Sequence, residues 1–376
     1  MSRAATATIH LGALRANLGA IRARLPGRRV MAVVKADGYG HGLERVTRAL
    51  ADADAFGVAS LQDGQRLRAA GVRARVVVLS GFDQARDLPE LRRLRLEPVI
   101  HHHSQLAMIE AERAPSATPM QVWIELNTGM NRLGLPPAEL GSTLSRLAAL
   151  PQIAPQPILM SHLANSDVIA DPANAAQIAC FDAAHRGYSH QTSLANSAGA
   201  LNFAQASGDW LRIGGLLYGI SLGAGLSGPA LGFAPAMTLH TRLIAINQAQ
   251  AGDRVGYAGT FVCAQPMRLG VAAIGYGDGY PRHASNAAQV LVAGRRAQLV
   301  GRVSMDLITL DLSAHPHAQV GDPVVLWGRD LPVEELARAA DTIGYELTCG
   351  TTRRVAFVED HAPLPQTAVD RAPVVA

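Results

Sequence analysis

Cysteine is scarce in this sequence: Cys180, Cys263 and Cys349 are far apart, odd in number and form no C-x-x-C pair. That excludes a disulfide framework and a zinc ribbon. No apolar stretch approaches the ~20 residues of a membrane span. The first 25 residues are interrupted by Arg15, Arg22 and Arg24, so they lack the apolar segment of a secretory signal. A soluble cytoplasmic protein with no membrane partner is therefore expected. Charged residues are only 17%, and the net charge of +4 is spread along the chain, so no nucleic-acid partner is expected either. Against these absences stands an apolar content of 48%, which excludes wholesale disorder and supports a sizeable core. A chain of 376 residues predicts two domains.

The sharpest scarcity is lysine. Of 34 basic residues, 33 are arginine and one is lysine, Lys35. Arginine stays protonated near neutral pH, whereas a desolvated lysine can lose its proton and act as nucleophile or base. Lys35 closes the apolar run VMAVVK and precedes the turn-rich DGYGHG. That position favours catalysis over a chance survivor on a surface loop.

Between residues 28 and 220, eight short apolar runs recur roughly every 25 residues: 30–34, 55–59, 75–79, 96–100, 122–126, 157–161, 192–195 and 210–214. Segments with helical spacing lie between them, as at Leu43–Leu50 and Ala138–Leu150, and a first helix over Leu11–Leu25 precedes the first run. Eight strand-plus-helix units in about 200 residues predict an α/β TIM (β/α)8 barrel. The glycine- and proline-rich stretch at 221–237 reads as a linker, and the pattern beyond it is strand-like with one clear helix, LPVEELARAADTI. The expected organisation is a barrel over 1–233, a mostly β domain over 234–366 and a loosely ordered tail over 367–376.

Chemistry in such barrels gathers at the C-terminal ends of the strands. The residues there are Lys35 and Tyr39, Ser80, His101, Asn127 and Arg132, His162, Asn196 and Ser197, and Arg212 with Gly214 and Gly215. Two of these segments, ANSAG and RIGG, follow the seventh and eighth runs, where such barrels favour phosphate. A Schiff-base lysine with a phosphate cradle points to pyridoxal phosphate or to a sugar-phosphate aldolase. Arg212 separates them, because a permanent cation facing the ring nitrogen of a pyridoxal cofactor would keep it unprotonated and restrict the chemistry to simple proton transfer. The triple His101-His102-His103 is not expected to bind metal, since consecutive strand residues alternate faces.

The segments AVVKADGYGHG, NTGMNRLG, SHLANSD, ANSAG, RIGGLLYG, VGYAGT, GYGDGYPR, GRVSMD and TTRRV occur in the order found in the alanine racemases, which this chain resembles over roughly residues 6–360. The resemblance implies a TIM barrel followed by a β domain, pyridoxal 5'-phosphate as cofactor, alanine as substrate and a head-to-tail homodimer with shared active sites. It implies further that Lys35 is the Schiff-base lysine and the base for the D-enantiomer, and that Tyr257 from the other subunit is the base for the L-enantiomer. His162 and Arg212 would link that tyrosine to the pyridine nitrogen. Tyr39, Asn196, Ser197, Gly214 and Gly215 would bind the cofactor, chiefly its phosphate. Arg132 and the Met305 backbone would hold the substrate carboxylate, with Tyr276 guarding the substrate entrance and Asp306 beside Met305.

Three departures stand out. Glu125 occupies a position where many members carry a lysine that is carbamylated to make a negative group, so a fixed carboxylate is expected to replace the modification. Asn127 stands where the family usually has aspartate. Arg353 stands where some members place a tyrosine near the phosphate. A decarboxylase of the related barrel-plus-β group lacks support, because its triple-glycine phosphate motif is missing. A pyridoxal-phosphate carrier protein resembles the barrel alone.

Overall fold

The computed structural model describes residues 5–112, 119–221, 225–284, 286 and 288–364. The expected tail at 367–376 lies outside them. By internal contacts the chain forms two compact units: residues 18–38 with 42–214, and residues 1–17 with 39–41 and 215–376.

The N-terminal strand β1 (Thr6–His10) leads directly into a helix over Leu11–Arg24. Eight strands then follow: β2 (Arg29–Val33), β3 (Ala55–Val58), β4 (Arg75–Val78), β5 (Leu96–Ile100), β6 (Trp123–Glu125), β7 (Ile158–Met160), β8 (Thr192–Ser193) and β9 (Trp210–Ile213). Each falls within or against one of the eight apolar runs. They pair in parallel in the order β8-β7-β6-β5-β4-β3-β2-β9, with Met31 opposite Arg212 where the first strand meets the last. The seam between β8 and β9 is bridged by Asp209 N–H donating to the Thr192 carbonyl (2.8 Å) and Arg212 N–H to that of Ala195 (3.0 Å). The result is a near-closed (β/α)8 barrel. Its strands read as continuous apolar runs because they are covered on both faces.

Met31, Val77, Val99, Trp123, Ile158, Met160 and Trp210 pack together inside it. Its N-terminal end is closed by charge as well as bulk. The Arg29 and Arg75 guanidiniums lie 4.7 and 4.8 Å from the Trp210 ring centroid. Arg75 also forks onto Glu97 through two 2.7 Å bonds, and Glu97 accepts the Trp123 indole N–H at 2.9 Å. All of these residues sit at the start of their strands, so the floor is sealed and the chemistry is left to the opposite end.

The second unit is built on β10 (Met237–Ala249), with β11 (Arg254–Val255), β12 (Phe261–Val262), β13 (Met267–Ala272), β14 (Gln289–Val292), β15 (Arg295–Gln298), β16 (Ile308–Asp311), β17 (Pro323–Trp327) and β18 (Ala356–Asp360). Its main sheet has the order β15-β14-β17-β10-β1-β18. Strand β1 thus pairs antiparallel with β10 and parallel with β18, far from it in sequence. Two helices, Val333–Ala339 and Gly344–Cys349, complete this mostly β unit.

The three histidines are not all strand residues. His101 follows β5, His102 caps a helix by accepting from Ser104 N–H (3.2 Å), and His103 begins that helix and meets Glu139 at 2.6 Å. Among the described residues no group of three His, Cys, Asp or Glu side chains could hold a metal ion. No helix among them is long and apolar enough to cross a membrane.

Candidate active site

Lys35 follows β2, and the chain beyond it winds the wrong way. Ala36, Asp37, Gly38 and Tyr39 have φ of 53°, 54°, 64° and 52°, one turn of left-handed helix. Three of the four carry a Cβ, and for such residues this hand costs about 1–2 kcal/mol each. The surroundings hold it in place. Gly38 N–H donates to the Val34 carbonyl (2.9 Å), the Asp37 carbonyl accepts from Gly42 N–H (2.8 Å), and the Asp37 carboxylate accepts from Arg66 (2.7 Å). Strain kept in this way belongs to sites where position matters more than stability.

Across the barrel mouth, Arg212 on β9 is 4% exposed and is held by oxygen atoms. Its Nη1 donates to the Ser193 carbonyl (2.8 Å) and hydroxyl (2.7 Å), and its Nη2 to the carbonyls of Ser161 (2.6 Å) and Leu194 (3.3 Å). Nη2 also reaches His162 Nδ1 at 3.3 Å. A guanidinium only donates, so His162 Nδ1 accepts and the ring proton is assigned to Nε2. Burial pulls the Arg212 pKa down to about 10, partly offset by Glu125, so it remains a cation at neutral pH. Burial together with Arg212, Arg132 and Lys35 holds the His162 pKa down at about 3, so this imidazole is neutral.

Glu125, the last residue of β6, is 5% exposed. Burial raises its pKa, against the opposing pull of Arg212, His101 and Arg132. Asn127 shapes the loop that follows. Its Oδ1 accepts from Gly129 N–H (3.1 Å) and Asn131 N–H (3.0 Å), and its Nδ2 donates to the Asn131 side chain (3.1 Å). An amide oxygen thus makes the turn that a carboxylate would make, and Arg132 projects from it, exposed. After β8, Asn196 caps the helix Ser197–Asn202 by accepting from Gly199 N–H (2.9 Å), and Ser197 Oγ accepts from Gly214 N–H (3.0 Å). Lys35, His162, Arg212, Glu125, Arg132, Ser197 and Gly214 therefore all sit at strand ends of one barrel mouth.

In the second unit, Tyr39 stacks on Tyr218 (4.8 Å) and meets Tyr345 edge-on (5.3 Å). A Cβ on Gly215 would lie 2.0 Å from the Tyr345 oxygen, so only bare backbone fits there. Burial and then Cys349 push the Tyr39 phenol pKa up, which keeps it a neutral donor. Tyr257 lies in a tight turn between β11 and β12 and is 69% exposed. Tyr276 N–H donates to the Ser304 carbonyl (3.0 Å) and Gly277 N–H to that of Met305 (2.9 Å), which packs one turn on the other. Arg354 binds both Asp306 and Asp278, whereas Arg353 is exposed. Sequence reasoning missed Tyr345, which lies in IGYELTCG without a glycine-rich turn or strand end to mark it.

Two families match in tandem: "Alanine racemase, N-terminal domain" over residues 9–222 and "Alanine racemase, C-terminal domain" over 236–359. An alanine racemase of Nitrosococcus oceani is 49% identical over 350 residues, 93% of this chain and 97% of that one. The crystal structure of biosynthetic alanine racemase from Pseudomonas aeruginosa superposes with a TM-score of 0.92 at 42% identity, covering 96% of this chain and 100% of that one. An alanine racemase from Bartonella henselae, solved with covalently bound pyridoxal phosphate, matches at 26% identity and a TM-score of 0.85 over 95% and 99% of the two chains.

Proposed function

This chain belongs to the alanine racemase family, and from that premise we propose that it interconverts L- and D-alanine with pyridoxal 5'-phosphate by a two-base mechanism. The observation that carries the cofactor assignment is Arg212. Its Nη atoms are taken up by Ser161, Ser193, Leu194 and His162, which leaves Nε–H as the remaining donor for an unprotonated ring nitrogen. The other residues suit the same group. Tyr39, Asn196, Ser197, Gly214 and Gly215 supply hydroxyl and backbone donors for the phosphate, and Lys35 supplies an amine for the aldehyde carbon.

When bound, pyridoxal phosphate delocalises charge from the substrate α-carbon and so acidifies its hydrogen. Inversion then needs a proton taken from one face and another delivered to the opposite face. Lys35 Nζ holds or moves the proton on one side, and the Tyr257 phenol of a second copy of the chain does so on the other. Neutral His162, with its proton on Nε2, orients that phenol and is itself oriented by Arg212. The positive charge of Arg212 opposes protonation of the ring nitrogen and limits the site to proton transfer. Arg132 and the Met305 backbone hold the substrate carboxylate. Glu125 takes the place of a carbamylated lysine, Asp306 fixes the Met305 turn through Arg354, and Tyr276 stands at the substrate entrance. Racemisation supplies D-alanine for peptidoglycan or degrades it, in the cytoplasm, by a homodimer.

The test is the visible absorbance of purified protein with pyridoxal phosphate, alongside a chiral assay of L-alanine. Wild type should show the band of a lysine-held cofactor and form D-alanine, and Lys35→Ala should lose both. A Lys35→Ala protein that keeps band and turnover sinks the assignment, as does loss of carbon dioxide in place of racemisation.

A further inference from the structure

One buried amide joins two parts of the mouth that the mechanism uses separately. Gln177 lies on the helix Pro172–His185 and is 3% exposed. Its Oε1 accepts from Ala164 N–H (2.9 Å) and its Nε2 donates to the His162 carbonyl (3.0 Å), so the amide brackets Leu163 and fixes the backbone of the His162 loop. Its second Nε2 hydrogen reaches Thr128 Oγ1 at 3.5 Å.

The direction of the hydrogen bonds beyond it is determined. Ser161 Oγ donates to the Leu126 carbonyl (2.7 Å), so it must accept from the Thr128 hydroxyl (2.7 Å), and Thr128 Oγ1 is left to accept from Gln177. The chain runs Gln177 to Thr128 to Ser161 to Leu126. Thr128 lies in the loop that carries Arg132, and the Ser161 carbonyl receives Arg212. Gly129 packs on the Gln177 stem, since a Cβ there would come within 3.3 Å of Cγ.

We infer that Gln177 is a positioning residue for racemisation, aligning the His162 loop with the Arg132 loop through one amide. The inference rests on the function proposed above. Gln177 touches no reacting atom and acts through His162 and Thr128. The charged groups facing His162 are Arg212 from β9, Arg132 from the loop after β6 and Lys35 from the end of β2, all cations that disfavour imidazolium. A ring that swings out of this setting gains solvent and titrates nearer its ordinary value.

The test is Gln177→Met, which keeps length and removes every hydrogen bond. The His162 ring is followed by NMR in the protein as purified, and kcat and KM for alanine are followed against pH. The expected result is a His162 titration raised by a pH unit or more, an acid limb in the rate profile, kcat down about tenfold and KM up severalfold. Thr128→Val cuts only one arm and should raise KM while leaving the His162 titration in place. Gln177→Leu likewise removes both arms of the amide, so it should follow Gln177→Met and replaces it should that variant not fold. An unchanged His162 titration with unchanged kcat and KM overturns the inference. So does a variant that merely yields less folded protein with normal constants. A wild type that fails to racemise alanine defeats the proposed function, while the NMR titration still reports on positioning.

Discussion

At the scale of single residues, His162 gives the acid response a sign. Its folded-state pKa is held down at about 3, below the ordinary value of 6.5, so the unfolded chain takes up a proton there that the folded chain refuses. Stability from this residue is present above pH 6.5 and is lost as pH falls toward 3. His162→Gln should therefore flatten the loss of stability across that window by up to about 1.4 kcal/mol per pH unit, read from denaturant melts at several pH values. Glu125 has the opposite sign. Burial raises its pKa, so ionising it costs stability as pH rises through that value. Glu125→Gln should be no less stable than wild type at neutral pH, yet lose about tenfold in kcat/KM for alanine if its charge serves the site. Unaltered kinetics would defeat that role. Lys35 stands out in the sequence as its one lysine, and the structure has it just after β2. Gln177 does not stand out, because a glutamine on a helix has no sequence mark and its role comes from three partners well separated along the chain.

At the scale of elements, apolar runs foretold all eight barrel strands, including β8, for which TSLA gives only two strand residues. Strands fixed by distant partners were not foretold. β1 has only five residues and finds both of its partners more than 200 residues away, and β15 reads as the polar RRAQ. The helix Gly344–Cys349 escaped notice as well, because it starts on glycine and has no clear apolar stripe. The left-handed turn after Lys35 has no simple pattern either, since only one of its four residues is glycine. Ala36→Gly should relieve the backbone and stabilise the protein by about 1 kcal/mol in thermal melts. Gly38→Ala should do the reverse: φ is +64° and the new methyl would meet Val46 at 2.9 Å, costing about 1–3 kcal/mol and displacing Lys35. Equal melting temperatures for the two variants would count against a strained turn.

At the scale of the whole molecule, the change in texture after residue 221 suggests a barrel over 1–233 and a β domain over 234–366, whereas the contacts group residues 1–17, 39–41 and 215–376 together, because β1 pairs with β10 and β18. The pairing of Lys35 with Tyr257 of a second copy is an expectation that only the resemblance to the alanine racemases carries, since no pattern along one chain marks it. Tyr257 is largely exposed on its own unit, as a residue destined for another subunit's site would be. Tyr257→Phe should slow the L-to-D direction, measured as α-proton exchange from L-alanine. Mixing and reassembling Lys35→Ala with Tyr257→Phe chains should regain about a quarter of wild-type turnover, since half the dimers would be hybrids with one intact centre. No recovery would mean that both bases come from one chain. The sealed floor of the barrel, where Trp210 lies between two arginines and Glu97 ties Arg75 to Trp123, closes off any rear exit. A barrel stoppered at that end meets its ligands only through the loops that follow the strands, so Trp210→Ala should lower the melting temperature before it alters what those loops bind.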